Sequence, residues 1–197
     1  MPFAGYGQTN DKKAGEYYHI GNDKVSRKDY TGAIAGFSEA IKRDPGFIQA
    51  YENRGVAKFY LKDFTGAIAD FTKALEINPD DYSTYSRRGW AKYNLQDYEG
   101  AVADFTKAIE SKGLGASDYY ISRGRAKYRL RDYDGAIADF SKAISIPFSK
   151  RYRGEAYYWQ GLAKINSGQK ESGCSDLSKA GESGYGKASA AMKEYCQ

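Results

Sequence analysis

Residues 67–71 read Ala-Ile-Ala-Asp-Phe, and the same five residues recur at 136–140. Close variants occupy 33–37, which read Ala-Ile-Ala-Gly-Phe, and 101–105, which read Ala-Val-Ala-Asp-Phe. Taken in chain order, the four copies begin 34, 34 and 35 residues apart. A fixed spacing of this length is typical of a chain built from repeated small units rather than from one globular core.

A second series of residues follows the same period upstream of these copies. A glycine precedes an aspartate by eight residues, and an aromatic residue follows the aspartate, as at Gly55, Asp63 and Phe64. Apolar residues within the unit recur at three- and four-residue steps, which is the period of an amphipathic helix. The aspartate is placed to cap a second helix by accepting from free backbone N–H groups. The sequence therefore predicts an all-α chain of helix–turn–helix units.

The repeated pattern resembles the tetratricopeptide repeat. It reads aromatic-x3-Gly-x-Ala, then Asp-Tyr/Phe-x2-Ala-x3-Phe-x2-Ala, then Pro, and it extends over residues 14–181, with a degenerate fifth copy at the end. The resemblance implies an α-solenoid, wound as a right-handed superhelix, of about five units followed by a C-terminal capping helix. It also implies a bacterial-type member of that family.

The pattern also predicts the organisation of the chain. We expect a flexible lead at 1–13 and the capping helix at 182–197. No charged start followed by an apolar stretch is present, so no intact signal peptide is expected and a cytoplasmic location is favoured. The alternative is an exported protein in which residues 3–8 are the remnant of a trimmed signal. The five units of the solenoid are expected at 14–47, 48–81, 82–116, 117–153 and 154–181.

The composition argues against an enzyme and against a metal site. The chain has one histidine and two cysteines, whereas a structural zinc site needs four ligands of these kinds. Residues 181–188 match the phosphate-binding pattern G-x4-G-K, but Ala188 replaces the Ser or Thr that would hold Mg²⁺, and the preceding residues have helical periodicity. The absence of a long apolar run excludes a membrane-spanning helix. We therefore expect no catalytic activity, no metal and no cofactor.

Two charged positions change together among the copies. The middle three units have an arginine before the repeat glycine and an aspartate before the repeat phenylalanine, whereas the first unit has Ile20 and Gly36 at these positions. We predict an ion pair between the two helices of each middle unit. The alternative is a set of solvated charges that contribute roughly 0–1 kcal/mol. The predicted pairs are Arg54 with Asp70, Arg88 with Asp104, and Arg123 with Asp139.

The two cysteines are 22 residues apart in the sequence, at Cys174 and Cys196. One falls on the second helix of the fifth unit and the other at the end of the expected capping helix. Antiparallel packing of these helices could join them in a disulfide that pins the cap to the array. The alternative is a pair of thiols, which a reducing cytosol would favour.

A binding surface is implied by the resemblance. In that family the first helices of successive units line a concave groove, which binds peptides or partner helices. The groove positions differ among the copies while the packing positions do not, as a shared scaffold with a specific surface should show, and this variation alone also fits an unselected surface. Several are Trp, Tyr or Arg, the residue types of binding hot spots. The candidate partner-binding residues are Asn22, Asn53, Tyr60, Arg87, Trp90, Asn94, Arg125, Arg129 and Trp159.

Part of this set resembles a known anion site. Members of the family that clamp the carboxylates of chaperone tails use Lys, Asn, Asn, Lys and Arg, and Asn22, Asn53 and Arg87 stand at three of these places. Tyr18 and Ser83 replace the two lysines, so the clamp is incomplete. The residues instead favour a weaker site, in which Arg87, Arg125 and Arg129 offer charge-assisted hydrogen bonds to an acidic peptide or a carboxylate.

The function predicted from the sequence is a non-catalytic scaffold that binds a partner protein or an extended peptide in its groove. One alternative is self-assembly, in which groove or end surfaces bind another copy of the chain. A more remote alternative is nucleic-acid binding through rows of Lys and Arg. The formal net charge of +5 is mild and spread along the chain, so it does not demand a nucleic-acid partner.

Overall fold

The computed structural model describes residues 11–112, 117–147 and 150–197, and the regular structure within these ranges is α-helical, which confirms the all-α prediction. No helix in the same ranges is long and apolar enough to cross a membrane. The helices in chain order are α1 Lys12–Ser26, α2 Tyr30–Arg43, α3 Ile48–Tyr60, α4 Phe64–Ile77, α5 Tyr82–Asn94, α6 Tyr98–Lys112, α7 Ser117–Arg129, α8 Tyr133–Ser145, α9 Lys150–Asn166, α10 Lys170–Glu182 and α11 Ala188–Tyr195.

The chain divides into two compact units, one ending at Asp97 and the other beginning at Tyr98. In the first, α1 packs on α2 and α3 packs on α4, while contacts of α2 with α3 and of α4 with α5 join these pairs. In the second, α6 packs on α7, and the same succession continues through α8, α9 and α10 to α11. Each helix thus packs mainly on its neighbours in sequence, as helix–turn–helix repeats require.

The first helix begins earlier than the sequence suggested. Lys12 and Lys13 belong to α1, and the Asp11 carboxylate caps this helix by accepting from the backbone N–H of Ala14 at 2.9 Å. The expected lead of residues 1–13 therefore extends two residues too far, and its residues 1–10 lie outside the described part of the chain. The other boundaries drawn from the repeat pattern stay predictions.

Aspartates fix where three of the second helices begin. In each case the Oδ1 atom accepts from the backbone N–H three residues later, which satisfies one of the free donors of the first turn. The turn before the cap is tight, since Lys62 has a left-handed backbone with φ 63°. The three caps are Asp29 with Gly32 at 2.9 Å, Asp63 with Gly66 at 2.9 Å, and Asp132 with Gly135 at 3.0 Å.

The two helices of a repeat cross where a glycine of the first faces a buried phenylalanine of the second. A β-carbon on Gly55 would lie 2.7 Å from Cε1 of Phe71, well inside the separation at which carbon atoms normally pack. Only glycine therefore leaves room for the ring. The same relation holds for Gly21 with Phe37 at 2.5 Å and for Gly124 with Phe140 at 2.7 Å.

A buried carboxylate joins the same two helices electrostatically. The Asp70 side chain is 4% exposed, with Nη2 of Arg54 at 2.7 Å from Oδ1 and Nζ of Lys58 at 2.8 Å from Oδ2. The guanidinium binds in a two-pronged geometry, because Nε of Arg54 also donates to Oδ2 at 2.9 Å. The repeat formed by α7 and α8 has the same arrangement: Nη2 of Arg123 lies 2.7 Å from Oδ1 of Asp139, and Nζ of Lys127 lies 2.9 Å from Oδ2.

Two of the three predicted ion pairs are thus confirmed. The alternative of solvated charges is wrong for them, because the carboxylates are almost fully buried. Arg88 and Asp104 belong to different compact units, so their pairing stays a prediction. In the last repeat a lysine provides the cation of the pair: Nζ of Lys164 lies 2.6 Å from Oδ2 of Asp176.

The C-terminal helix covers apolar side chains of the helices before it. Leu162 of α9, Leu177 of α10 and Ala191 of α11 are buried in one cluster. Cys174 on α10 and Cys196, which follows α11, are joined by a disulfide with their Cα atoms 5.8 Å apart. The bond ties α11 to α10 independently of the apolar contact.

We expect Gly55→Ala to lower the free energy of unfolding by about 1–3 kcal/mol, because the added methyl group must displace Phe71. Gly181→Ala is the matched control: this glycine lies in α10, and a β-carbon there would be 3.8 Å from its nearest neighbour. The control should be neutral or slightly stabilising. Urea denaturation followed by circular dichroism measures both, and equal effects would contradict the packing argument.

We expect Asp70→Ala to cost about 3–5 kcal/mol, because it leaves Arg54 and Lys58 buried without their anion. Glu76→Ala is the control, since its pair with Lys73 is more than half exposed on both sides. That substitution should change stability by less than about 1 kcal/mol. A loss below about 1 kcal/mol for Asp70→Ala in the same denaturation assay would show that the buried ions contribute little.

Candidate functional site

Helix α3 places two of the predicted binding residues on one face, and α5 places three on one face. Asn53 and Tyr60 lie on α3, with Val56 between them, and the positions i, i+3 and i+7 share one side of a helix. On α5 the same spacing is occupied by Arg87, Trp90 and Asn94. Because α3 and α5 are in contact, these two rows form one surface within the first compact unit.

A cavity of about 400 Å³ opens in this surface. Its size falls in the range of ligand pockets, about 300–1,000 Å³. Most of the lining is aromatic or aliphatic, and one cation is present, a composition suited to an apolar side chain that lies next to an anionic group. The lining residues are Val56, Phe59, Tyr60, Phe71, Arg87 and Trp90.

The aromatic side chains around the cavity are held by other rings. Tyr60, although 61% exposed, stacks on Tyr30 at 4.8 Å with an interplanar angle of 11°. Trp90 meets Tyr93 edge-on at 5.3 Å. Contacts of this kind limit side-chain motion, so little rotamer freedom is lost when a ligand binds.

The cation of the cavity has a carboxyl group for a neighbour. Nη1 of Arg87 lies 3.9 Å from Oε2 of Glu52, at the outer limit of an ion pair. The Arg87 side chain is 42% exposed, whereas the Glu52 side chain is only 15% exposed. The guanidinium therefore reaches solvent, and a ligand can approach it from the cavity.

Glu52 belongs to a pair of carboxyl groups bridged by a hydroxyl. Oγ1 of Thr84 lies 2.8 Å from Oε1 of Glu52 and 2.7 Å from Oδ2 of Asp81. Burial and the hydrogen bond with Asp81 raise the pKa of Glu52 to about 7. Burial acts to raise the pKa of Asp81 too, but hydrogen bonds from Glu52, Thr84 and Ser83 outweigh it and hold that pKa at about 2. Below about pH 7 the pair therefore shares one proton, mainly on Glu52, and this proton is lost as the pH rises through about 7.

The predicted asparagines form hydrogen bonds with other groups of the protein. Nδ2 of Asn53 donates to Oη of Tyr18 and to Oδ1 of Asn22, both at 3.0 Å, which uses both amide hydrogens. Asn94 donates from Nδ2 to the carbonyl of Trp90 at 2.8 Å. Asn53 therefore has no amide hydrogen left for a ligand carboxylate, which separates this surface further from the carboxylate clamp.

The second compact unit holds the other predicted residues. Nη1 of Arg125 lies 3.3 Å from Oε1 of Glu155, and its guanidinium carbon is 5.1 Å from the ring centre of Trp159. Arg129 lies over the ring of Tyr98 at 4.6 Å. These arginines pack on aromatic faces of their own unit, and Arg125 already has a carboxylate partner.

Neither a metal centre nor a phosphate loop has structural support in the described residues. No group of three or more His, Cys, Asp or Glu side chains within these ranges is arranged to hold a metal ion. The stretch 181–188 begins in the last two residues of α10, a helix, whereas a phosphate-binding loop follows a strand.

Several residues of this site were not predicted from the sequence. The sequence could not connect Glu52 with Thr84, because the two residues lie on different helices, 32 residues apart, and Asp81 reads only as the cap of α5. Phe59 and Phe71 follow the apolar helical period of the repeat, which predicts packing and not a binding site. One signal was available: where the second repeat has Glu52, the first has Tyr18.

The comparisons with known proteins agree with the repeat pattern. Two family models, both described as tetratricopeptide repeat, match the chain at residues 48–81 and at residues 86–156. Together they cover more than half of the 197 residues. No curated protein matches the sequence.

Solved structures share the fold. A crystal structure of MamA protein is 24% identical with a TM-score of 0.80, covering 90% of this chain and 95% of that one. MamA from Desulfovibrio magneticus RS-1 is 16% identical with a TM-score of 0.83, covering 91% and 99%. YrrB, described as a TPR protein with an unusual peptide-binding site, is 19% identical with a TM-score of 0.78, covering 93% and 94%. At these identities the likeness shows the fold alone.

We expect the carboxyl pair to make the stability of the protein depend on pH. Because the pKa of Glu52 rises from 4.5 when unfolded to about 7 when folded, its contribution is complete below about pH 4.5 and is lost as the pH rises through about 7. Thermal or urea unfolding across this range should show wild type losing stability relative to Glu52→Gln. Parallel profiles of the two proteins would contradict the shared proton.

Proposed function

Because the chain belongs to the tetratricopeptide-repeat family, we propose that it is a non-catalytic scaffold that binds an acidic segment of another protein on the surface formed by α3 and α5. The observation that carries this proposal is the cavity, which combines the exposed Arg87 with Trp90, Tyr60, Val56 and Phe59. A fold of this family supports a protein-interaction role in general.

The chemistry of the cavity selects the ligand. A Leu or Phe side chain of the ligand would enter the apolar part of the cavity and lose contact with water, which is favourable. A carboxylate next to it would receive charge-assisted hydrogen bonds from Arg87, whose five N–H donors match a carboxylate. We therefore expect a segment in which apolar and acidic residues are neighbours. The description of YrrB as a peptide-binding protein supports a peptide as the class of ligand.

The α3–α5 surface is a better candidate than the arginines of the second unit. Arg125 already contacts Glu155 and Trp159, and a ligand carboxylate would have to compete with the Glu155 carboxylate. Arg87 instead lies 3.9 Å from Glu52, a group whose raised pKa of about 7 leaves it partly protonated near neutral pH. The cavity also gives Arg87 an apolar surface beside it, and arginine next to a buried aromatic residue is a typical hot-spot arrangement.

We expect labelled peptides in which Leu or Phe alternates with Asp or Glu to bind the full chain in a fluorescence anisotropy titration. Arg87→Ala and Trp90→Ala should each weaken this binding severalfold, up to about tenfold, which corresponds to about 1.4 kcal/mol. Peptides with Lys in place of the acidic residues should bind more weakly than the acidic set, because Arg87 would then face a like charge.

Two exposed side chains outside the cavity serve as controls. Lys73 on α4 is 59% exposed and pairs with Glu76, and Leu61 follows α3 and is 47% exposed. Lys73→Ala and Leu61→Ala should bind the acidic peptides as wild type does. The proposal is wrong if no acidic peptide binds, or if Arg87→Ala and Trp90→Ala bind as tightly as the controls. A mass that rises with protein concentration in light scattering would point to self-assembly instead.

A further inference from the structure

Glu52, one of two carboxyl groups that contact the Thr84 hydroxyl, lies beside the arginine of the cavity. Thr84 contacts both Glu52 and Asp81, and its single hydroxyl hydrogen can satisfy only one of two carboxylates. Asp81 is the N-cap of α5 and accepts from the backbone N–H of Ser83 at 2.9 Å, where the helix terminus favours a negative charge. The proton that the arrangement needs therefore belongs on Glu52.

The charged groups that face Glu52 come from α5 and its cap, namely Asp81 and Arg87. The other helices that pack against α3 present groups with partners of their own. Those groups are Tyr18 of α1, which accepts from Asn53, Ser38 of α2, which accepts from Arg54, and Asp70 of α4, which binds Arg54 and Lys58. Apart from burial, the charge state of Glu52 is therefore governed by its contacts with α5 and its cap.

We propose that Glu52 is a positioning residue whose protonation decides whether Arg87 is available to an anionic ligand. The inference rests on the proposed function, because the ligand is the acidic segment described above. When Glu52 is neutral, the guanidinium faces an uncharged group and can pair with a carboxylate of the ligand. When Glu52 is ionised, a carboxylate of the protein competes for the same guanidinium. Acidic segments should therefore bind more tightly as the pH falls through neutrality.

Binding of the ligand in turn favours protonation of Glu52. An anion bound at Arg87 adds negative charge near Glu52 and draws the guanidinium toward the ligand, so it raises the pKa of Glu52. Binding near neutral pH must then be accompanied by uptake of a proton from the buffer onto Glu52, because the linkage between proton and ligand is reciprocal. Proton uptake is a readout that a purely structural role of Glu52 would not produce.

The contact between Glu52 and Arg87 occurs at one place among the repeats compared below. At the position of Glu52 the first, third and fourth repeats have Tyr18, Ser86 and Ile121, none of which is a carboxylic acid. The contact therefore belongs to the α3–α5 surface alone among these repeats, and it coincides with the cavity.

Isothermal titration calorimetry of the full chain with an acidic probe peptide tests the inference. The probe alternates Leu with Asp and has blocked ends, so its carboxylates stay ionised from roughly pH 6 to roughly pH 8. Wild type should bind severalfold more tightly at the lower pH. Titrations near neutrality in two buffers of different protonation enthalpy should show proton uptake. Glu52→Gln should bind tightly at both pH values without proton uptake.

Three further variants test whether Glu52, acting through Arg87, causes the pH dependence of binding. Glu76→Gln removes an exposed carboxylate of α4 that pairs with Lys73, and it should keep the wild-type pH profile. His19→Gln removes the one histidine of the chain, which separates histidine titration from that of Glu52. In Arg87→Ala the pH dependence should largely disappear, because Glu52 acts through this guanidinium.

The outcomes distinguish this inference from the proposed function. Binding that depends on Arg87 and Trp90 but is independent of pH and involves no proton uptake would overturn the role of Glu52 and leave the proposed function standing. A pH profile of Glu52→Gln that matches wild type would do the same. If neither wild type nor Glu52→Gln binds the probe at either pH, both proposals are wrong.

Discussion

The close approach of a glycine to a buried phenylalanine is the contact on which the rest of the fold depends. At Gly55 the first helix of the repeat has no side chain, so the ring of Phe71 lies where a β-carbon would otherwise be. This brings α3 and α4 near enough for Arg54 and Lys58 to reach Asp70. Phe71 also lines the cavity on the α3–α5 surface, so the packing that closes the repeat shapes the candidate binding site as well.

Two kinds of cation follow from this geometry, and their surroundings give them different roles. Arg54 and Lys58 are 18% exposed and both pair with the one buried carboxylate of Asp70, so they hold the helices of one repeat together. Arg87 is 42% exposed, opens onto a cavity and lies 3.9 Å from Glu52, a carboxyl group whose pKa is raised to about 7. A cation of the first kind is costly to disturb. A cation of the second kind can exchange its neighbour for a ligand at little cost.

The sequence predicted the features that every repeat shares. The recurring positions gave the helix pairs, and the joint change of Ile20 and Gly36 in the first copy pointed to the Arg–Asp pairs that the second and fourth copies form. It could not predict the carboxyl pair, because Glu52 and Asp81 occur in one place only and a single occurrence has no period to reveal it. The hydrogen bonding of Asn53 could not be predicted for the same reason. The sequence indicates that Asn53 lies on the surface, but it does not show that Tyr18 and Asn22 accept both of its amide hydrogens.

The chain has two tryptophans, and this allows one measurement to test where the ligand binds. Trp90 lines the α3–α5 cavity, and Trp159 contacts Arg125 in the second compact unit. In a ¹⁵N-labelled protein their indole N–H signals can be assigned with Trp90→Phe and Trp159→Phe and followed during titration with an acidic, apolar peptide. The account predicts that the Trp90 signal shifts with a saturating dependence on peptide while the Trp159 signal stays in place. A saturating shift of Trp159 without one of Trp90 would contradict it.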